Sequence, residues 1–590
     1  MDGLVLRPPS VAWRRDQRKA LICGLLFFLF VSNSGRMNAA IEIQKMSSLA
    51  IHPTRPTVIT FTGRDFVGTD KQFAKLWVSF PAEIRLMPDA VGSSSKLTFE
   101  ITPQKIPVGL QSARLFTDRE FSNPMLMVVD SIESTAFDLP ANSGNLPPFV
   151  FPFGVSLETK DRESVKIPVD LRQGKRVVVE AVADRLGIDV DLVIRLLDGD
   201  GRVIARHDDH PFTGADPLFS FTPHDDGLHY LVCHDVQYRG GRPFRLRVAE
   251  ESIQSVVYPS VVGGEKPVLL HINDPVNSRK RGRVSRQLVP SRRDSGNDLL
   301  DMAGLNHGFA CMMRTAWPLY TEPVHVAGGG KLVVGATVAP SVSAPAVICG
   351  YIDVAGRVDQ WLIHARKGEK IVFRSLADAI RTPAIPKVKV LNSGGGLIGS
   401  FHWASNRQGE FTVAFPEDGH YRLQVEEGFG RGGFEFQYCL ELSEPKPSSK
   451  ISLSARPNNR KDLEFSVGVS GGTVSIPIKF QQQEPEKNLQ WRVYSRAKIA
   501  CKVVGFQWNK DKKNEGTLEV LLPENVTELR LLPLKMVALS NADQRSSEVN
   551  VDLLASVPVK LSRLPSLPGH VTDYFPLIVK PKIKLPENKK

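Results

Sequence analysis

An all-β fold built of tandem antiparallel β-sandwich domains is what this 590-residue sequence predicts, and three observations carry the expectation. Short runs alternate apolar and polar residues at period two and are rich in β-branched and aromatic side chains. They include LWVSF (76–80), KRVVVEAVA (175–183), DLVIRLL (191–197), LHYLVCH (228–234), FRLRV (244–248), EKIVF (369–373) and TVSIPIKF (473–480). Each is closed by Gly, Pro, Asp or Asn, as tight turns between antiparallel strands require. The 46 Gly and 42 Pro supply enough breakers for many such turns. Stretches with a 3.6-residue period are nearly absent, and the best helical candidate, DSGNDLLDMAGL (294–305), is short. At about 150 residues per domain, the length suggests about four domains.

Internal repetition orders these strands. GKRVVVEAVAD (174–184) returns as GEKIVFRSLAD (368–378), and LLDGDGRVIA (196–205) as VLNSGGGLIG (390–399). DDGLHYLV (225–232) returns as EDGHYRLQV (417–425), and RGGRPFRLRV (239–248) as RGGFEFQYCLEL (431–442). The offset is 194 residues from Gly174 to Gly368 and 192 from Gly227 to Gly419. Upstream, Pro124 answers Pro318 and Pro53 answers Pro259. The chain therefore reads as A-B-A′-B′ followed by a different C-terminal piece, C. The expected divisions are 41–135, 136–250, 251–345, 346–445 and 446–570, with an extended Pro- and Lys-rich tail over 571–590.

The B units resemble the bacterial pre-peptidase C-terminal domain, a small β-sandwich found beside catalytic domains of secreted peptidases and in exported repeat proteins. The first copy supplies Gly174, Asp189 and Asp191, the turn Asp198 to Gly201, Asp208–Asp209, Asp216, and Asp226–Gly227 leading to Tyr230. The second keeps VDQWLIHARKGEK (358–370) and Asp418–Gly419–His420–Tyr421, but has TPAIPKVKV (382–390) and HWASN (402–406) where the first has its aspartates. The A units resemble Ig-like domains of the IPT kind more loosely. The resemblance implies sandwiches and an exported protein.

The first forty residues have the order of a secretory signal. Basic Arg14, Arg15, Arg18 and Lys19 precede the apolar run Ala20 to Val31, and polar SNSGRMNAA follows. Twelve apolar residues reach only about 18 Å, short of a hydrocarbon core of about 30 Å. Cleavage is expected near Asn38 to Ala40, with the membrane met only transiently. Cys233, Cys311, Cys349, Cys439 and Cys501 then remain, an odd number that leaves at least one thiol unpaired or paired between chains.

Several motifs look chemical. Gly468-Val469-Ser470-Gly471-Gly472 is a literal G-x-S-x-G, but a nucleophile elbow needs a helix after it and TVSIPIKF follows, so a hairpin turn is expected. Gly394 to Gly399 spells G-x-G-x-x-G, yet no helix opens there to receive a pyrophosphate. Residues 198–235 hold five of the thirteen histidines and eight aspartates. Three readings are open: Asp-Gly hairpins with an Asp-Asp sandwich edge; a calcium site using Asp198, Asp200, Asp208, Asp209 and Asp216; and a transition-metal site of the histidines, which alternation along LHYLVCH (228–234) disfavours by placing neighbouring ligands on opposite faces. Calcium is the sole cofactor suggested. Arg279, Lys280, Arg281, Arg283, Arg286, Arg292 and Arg293 form a basic loop, expected as a solvated insertion that could touch polyanions through Arg279, Lys280, Arg281 and Arg283.

A net charge of +12 spread over the chain, with no aromatic residue in the basic run, argues against nucleic acid as a partner. Haem, Walker, zinc-pair and zincin motifs are absent. The sequence therefore leads to an exported, periplasmic or cell-surface, non-enzymatic protein for binding, adhesion or spacing, with a protein or polysaccharide ligand. The alternatives are an accessory substrate-binding subunit of a secreted hydrolase or peptidase, and a hydrolase with an unrecognised site.

Overall fold

The computed structural model describes residues 41–582 except 88–92, 105, 107–108, 135–146, 251–255, 264–267, 274–283, 289–311, 316, 323–340, 381, 404–408, 446–450, 455–465, 482–488, 496–499, 541–546, 553–570 and 572–573. Strands dominate, and a 3₁₀ turn at Asp184–Leu186 joins two of them. The fold is all-β. Arg279, Lys280, Arg281 and Arg283, with the helical candidate at 294–305, lie outside the described residues. Within the basic run, however, Val284–Leu288 is a strand paired with Val268–Asn273, not part of a loop, because VSRQL keeps enough alternation to extend a sheet.

The B units are true structural repeats. Counted from its N-terminus, B has eight strands: Phe153–Glu158, Val165–Leu171, Val177–Val182, Leu192–Leu197, Val203–His207, Leu218–Phe221, Gly227–Asp235 and Pro243–Ala249. B′ has Ala346–Tyr351, Val358–Ala365, Lys370–Ser375, Pro386–Leu391, Leu397–His402, Glu410–Ala414, Gly419–Glu427 and Gln437–Ser443. In both, one sheet runs in the order 2-7-4-5 and the other 6-3-8-1. Inward residues of the two sheets form one core in each, around Ile194, Leu231 and Phe244 in B and around Trp361, Val390, Leu423 and Leu440 in B′. B′ gains two short parallel edge strands, Leu319–Thr321 and Ser341–Val342.

A is a sandwich of two four-stranded sheets closed over Ile59, Phe61, Leu97, Phe99 and Leu115. Among the described residues, A′ contributes a three-stranded and a two-stranded sheet. In C, the strands among the described residues link into one nine-stranded sheet that wraps a single core. Ser547–Asp552 joins its halves, pairing antiparallel with Arg530–Ser540 and parallel with Ile451–Leu453. The tail departs from expectation. Phe575–Lys580 is a strand between Val467–Val469 and Arg530–Ser540. It reads as a continuous apolar run because both its faces are covered: Phe575, Leu577 and Val579 enter the C core, while Ile578 packs with Phe116 of A.

That last contact brings the first and last domains together. Phe116, Leu531 and Ile578 form a cluster flanked by Trp77, Phe121 and Leu529. The Phe121 and Phe575 rings meet edge to face at 6.5 Å, and Lys75 pairs with Glu528 at 3.3 Å.

The A–B junction is ionic. Asp130, one residue beyond the last strand of A, enters the outer face of the 6-3-8-1 sheet of B, where Arg245 Nη2 and Arg247 Nε lie 2.7 and 3.0 Å from its Oδ2. Arg247 also bonds Glu180; Arg185 joins Glu180 and Asp216, each at 2.7 Å. Three carboxylates thus face three guanidiniums, with the Asp130, Glu180, Arg245 and Arg247 side chains wholly buried. Gly154 is required beside them, since a Cβ there would stand 2.2 Å from Arg245 Nη2.

The same face of B′ docks A′ by different means. Where Ser156 faces Arg245 across strands 1 and 8 of B, Cys349 faces Cys439 in B′, and the two form a disulfide. Val256, Tyr258 and Val261 of A′ pack on them, and the Tyr258 hydroxyl donates to the Glu322 and Cys349 carbonyls. The cross-strand pair Glu180–Arg247 is answered 194 residues on by Arg374–Glu441, with the charges exchanged. Nearby, Glu322 and Asp359 share Arg357, and Asp359 accepts the Tyr438 hydroxyl at 2.9 Å. Cys233, buried in the B core, and Cys501 are free thiols.

Replacing Asp130 by Ala leaves two buried guanidiniums short of their counter-ion, and should lower stability in denaturant titration by about 3–5 kcal/mol. The two junctions should also respond oppositely to pH. Burial acts to raise the Asp130 carboxyl, but Arg247 and Arg245 outweigh it and hold it at about 2. The unfolded chain therefore binds the proton more readily, and this stabilisation is lost as pH falls from about 4 toward 2. Burial, then the charge of Asp359, push Glu322 up to about 8 against the pull of Arg357. Here the native state holds the extra proton, so stability falls as pH rises from about 4.5 to 8. Hydrogen exchange resolved by peptide should show acid loosening around 130 and 245, and loosening around 322 and 359 on the alkaline side.

Candidate functional site

The five aspartates of the calcium reading divide among separate places. Asp198 and Asp200 sit in the exposed hairpin turn between strands 4 and 5 of B, where Asp198 Oδ1 accepts the Arg202 amide at 2.8 Å and Asp200 lies 3.8 Å from Arg202. Asp208 accepts the Asp209 amide. Both lie near Asp191, whose carboxyl is raised by burial and by the charges of Asp209, Asp235 and Asp208. Asp216 is buried and spent on structure: it accepts the amides of Ala183, Asp184 and Arg185, heading the 3₁₀ turn, and pairs with Arg185. Among the described residues, no three His, Cys, Asp or Glu side chains gather to hold a metal ion. The loop between Asp208 and Asp216 instead makes an inter-domain contact, with Phe212 packed against the A′–B′ cluster. His210 accepts the Phe212 amide, and burial, helped by Arg185, drops its imidazole to about 4.

The serine and glycine motifs are turns. Ser470 stands between strands Val467–Val469 and Thr473–Phe480, donates to the Pro523 carbonyl at 2.8 Å and accepts the Val526 amide at 3.2 Å. Its hydroxyl staples the turn and is buried. Gly394 to Gly396 turn the hairpin between strands 4 and 5 of B′, with the Gly396 amide donating to Asn392.

The arrangement that recurs with chemistry on its surface is the loop between strands 7 and 8 of each B unit. In B, strand 7 ends on buried Asp235. Its carboxylate accepts the amides of Gln237 at 2.9 Å and Arg239 at 3.2 Å, the Asp191 amide at 3.2 Å, and the Arg239 guanidinium at 2.8 and 2.9 Å. In B′, strand 7 ends on Glu427. This carboxylate accepts the amides of Phe429 and Arg431 at 2.9 Å each, the Ile385 amide at 3.3 Å, and Arg431 Nη2 at 2.6 Å. The correspondence is residue by residue: Asp235 and Arg239 precede Glu427 and Arg431 by 192, and Asp191 precedes Ile385 by 194. Burial opposes ionisation of both carboxyls, but the hydrogen bonds outweigh it and lower each below its ordinary range. Each loop is thereby held by a charged clasp that stays ionised across physiological pH.

What the clasps present is aromatic. Tyr238, at φ +55°, is 38% exposed and stacks on His234 at 4.2 Å with rings 4° from parallel. Phe429 is 63% exposed, with His402 edge-on at 6.0 Å and the Arg431 guanidinium 5.4 Å from its ring. The surroundings have diverged. Asp189, Asp191, Asp208 and Asp209 of B correspond to Pro383, Ile385, His402 and Trp403 of B′, so one loop sits in an acidic setting and the other does not. The repeated Asp- or Glu-x-x-x-Arg was legible at the same offset as the Arg-Gly-Gly match, but a surface loop carries no periodicity to draw attention to it.

No protein-family model and no curated protein matches the chain. Among solved structures it is similar to tripeptidyl peptidase 2 over 93% of this chain and 40% of that one, at 8% identity and a TM-score of 0.14. It is similar to the M60 catalytic domain with two CBM51 domains from Clostridium perfringens ZmpB over 66% of this chain and 48% of that one, at 10% identity and a TM-score of 0.15. It is also similar to the BSP domain of a biofilm associated protein over 89% of this chain and 100% of that one, at 9% identity and a TM-score of 0.14. The chain thus spans less than half the length of the first two, and likenesses this slight carry no argument about activity.

Proposed function

We propose that this is an exported, non-catalytic β-sandwich binding protein of the cell surface or periplasm, whose protein or polysaccharide ligand is met by the 7–8 loops of B and B′. The observation that carries the reading is the clasp itself: a buried carboxylate fixes the same loop in both copies and turns an aromatic ring outward, while the residues around it have changed. A loop held in advance loses little conformational entropy on binding. An exposed ring supplies large contact area with few rotatable bonds. Two such loops on one chain multiply weak contacts when both engage one ligand. The Cys349–Cys439 disulfide suits an oxidising compartment, and the resemblance of the B units to pre-peptidase C-terminal domains points the same way. The contact between A and C favours a fixed presentation of the loops over an extended spacer.

The test is binding of the exported chain to immobilised cell-surface polysaccharides and surface proteins. Tyr238→Ala and Phe429→Ala should each weaken retention about tenfold, as loss of an aromatic anchor does, and the double variant should lose the avidity term as well. Unchanged binding by the double variant would place recognition elsewhere.

A further inference from the structure

We propose that the chain is cut between Ala40 and Ile41, and that the α-ammonium so released forms an ion pair with the Glu120 carboxylate. The proposal rests on the export reading and adds to it a position and a use for the new terminus. The Ile41 side chain is 3% exposed and belongs to the core of A, so the first residue after the cut is already a packed one. Its backbone nitrogen lies 3.3 Å from Glu120 Oε2, across 79 residues of sequence. Two residues on, Ile43 donates to Asn123 Oδ1 and accepts from Asn123 Nδ2, both at 3.0 Å. The turn carrying Glu120 and Asn123 therefore grips the chain from residue 41 itself.

An amide nitrogen at that place offers a carboxylate one neutral N–H. A free terminus offers a full positive charge and three N–H donors, and such charge-assisted bonds are about twice as strong as neutral ones. The sequence leads to the same bond, since Asn38-Ala39-Ala40 ends the polar exit from the apolar run. Chemically the step is hydrolysis by a membrane-bound signal-peptidase-class enzyme. Water adds across the Ala40–Ile41 amide, the carbonyl carbon leaves as the carboxylate of the discarded leader, and the nitrogen takes up a proton.

The experiment is intact-mass measurement and N-terminal sequencing of the product from a secreting bacterial host. Ile41 as first residue is expected. An exported product beginning elsewhere, for example at Gly35, overturns the cut site and leaves the export reading standing; full-length product retained in the cytoplasm overturns both. A second arm compares chains made to begin at Ile41 with chains carrying a Gly-Ser extension before it. The Ile41 form should melt about 1–2 °C higher, and Glu120→Gln should erase the difference. Equal melting of the two wild-type forms would overturn the ion pair.

Discussion

The meeting of Asp130 with Arg245 and Arg247 is the constraint on which the domain arrangement depends. Six charges are withdrawn from water at that junction, and they balance: Asp130, Glu180 and Asp216 against Arg185, Arg245 and Arg247. Desolvating ions costs several kcal/mol each, so such a cluster persists only where geometry satisfies every member. Arg245 illustrates this, since beyond Asp130 it reaches the Ile132 carbonyl and the Ser134 hydroxyl. Its neighbour Gly154 leaves the space the guanidinium fills. An apolar interface would hold as well; what the ionic one adds is intolerance of a wrong partner.

That intolerance has a visible counterpart in the second repeat. The outer face that receives Asp130 in B carries Cys439 and Glu441 at the corresponding positions of B′. Glu441 would repel the carboxylate that Arg247 attracts. Conversely, the apolar cluster of A′ around Tyr258 would have to bury Arg245 without a counter-ion, and Arg247 with Glu180 alone, if it docked on B. Duplicated domains in one chain are prone to mispairing, and the exchanged pair Glu180–Arg247 and Arg374–Glu441 separates the two junctions while keeping the strands that carry them identical in order.

Much of this was legible in sequence, for a physical reason. Strands that line equivalent cores are constrained alike, so GKRVVVEAVAD (174–184) matches GEKIVFRSLAD (368–378) even though every residue of Val177–Val182 is buried and shows no alternation, and the offset leads to the common 2-7-4-5 and 6-3-8-1 orders. Turn chemistry is equally local: Gly394 to Gly396 turn a hairpin as expected, while Ser470 sits in a turn whose flanking strands pair with other strands and not with each other, so it is no nucleophile elbow but no hairpin either. What escaped depends on partners distant in the chain. Asp216 looked like a cation ligand because its four donors lie 31 to 33 residues earlier. Phe575–Lys580 looked like a tail because the covers of its two faces come from elsewhere in C and from A. The clasped loops are half legible: Arg239 and Arg431 align in the sequence, but that Asp235 and Glu427 hold them depends on how each loop folds back.

The contact between A and C also sets an order of events. Lys75 and Glu528 are 453 residues apart, and Ile578 lies farther still from Phe116. At about 5–20 residues per second of synthesis, the outer face of the first domain waits about 20–90 s for the strand that will cover it. During that interval Trp77, Phe116 and Phe121 form an uncovered apolar patch on an otherwise finished sandwich. The strand Phe575–Lys580 is the one whose arrival covers it.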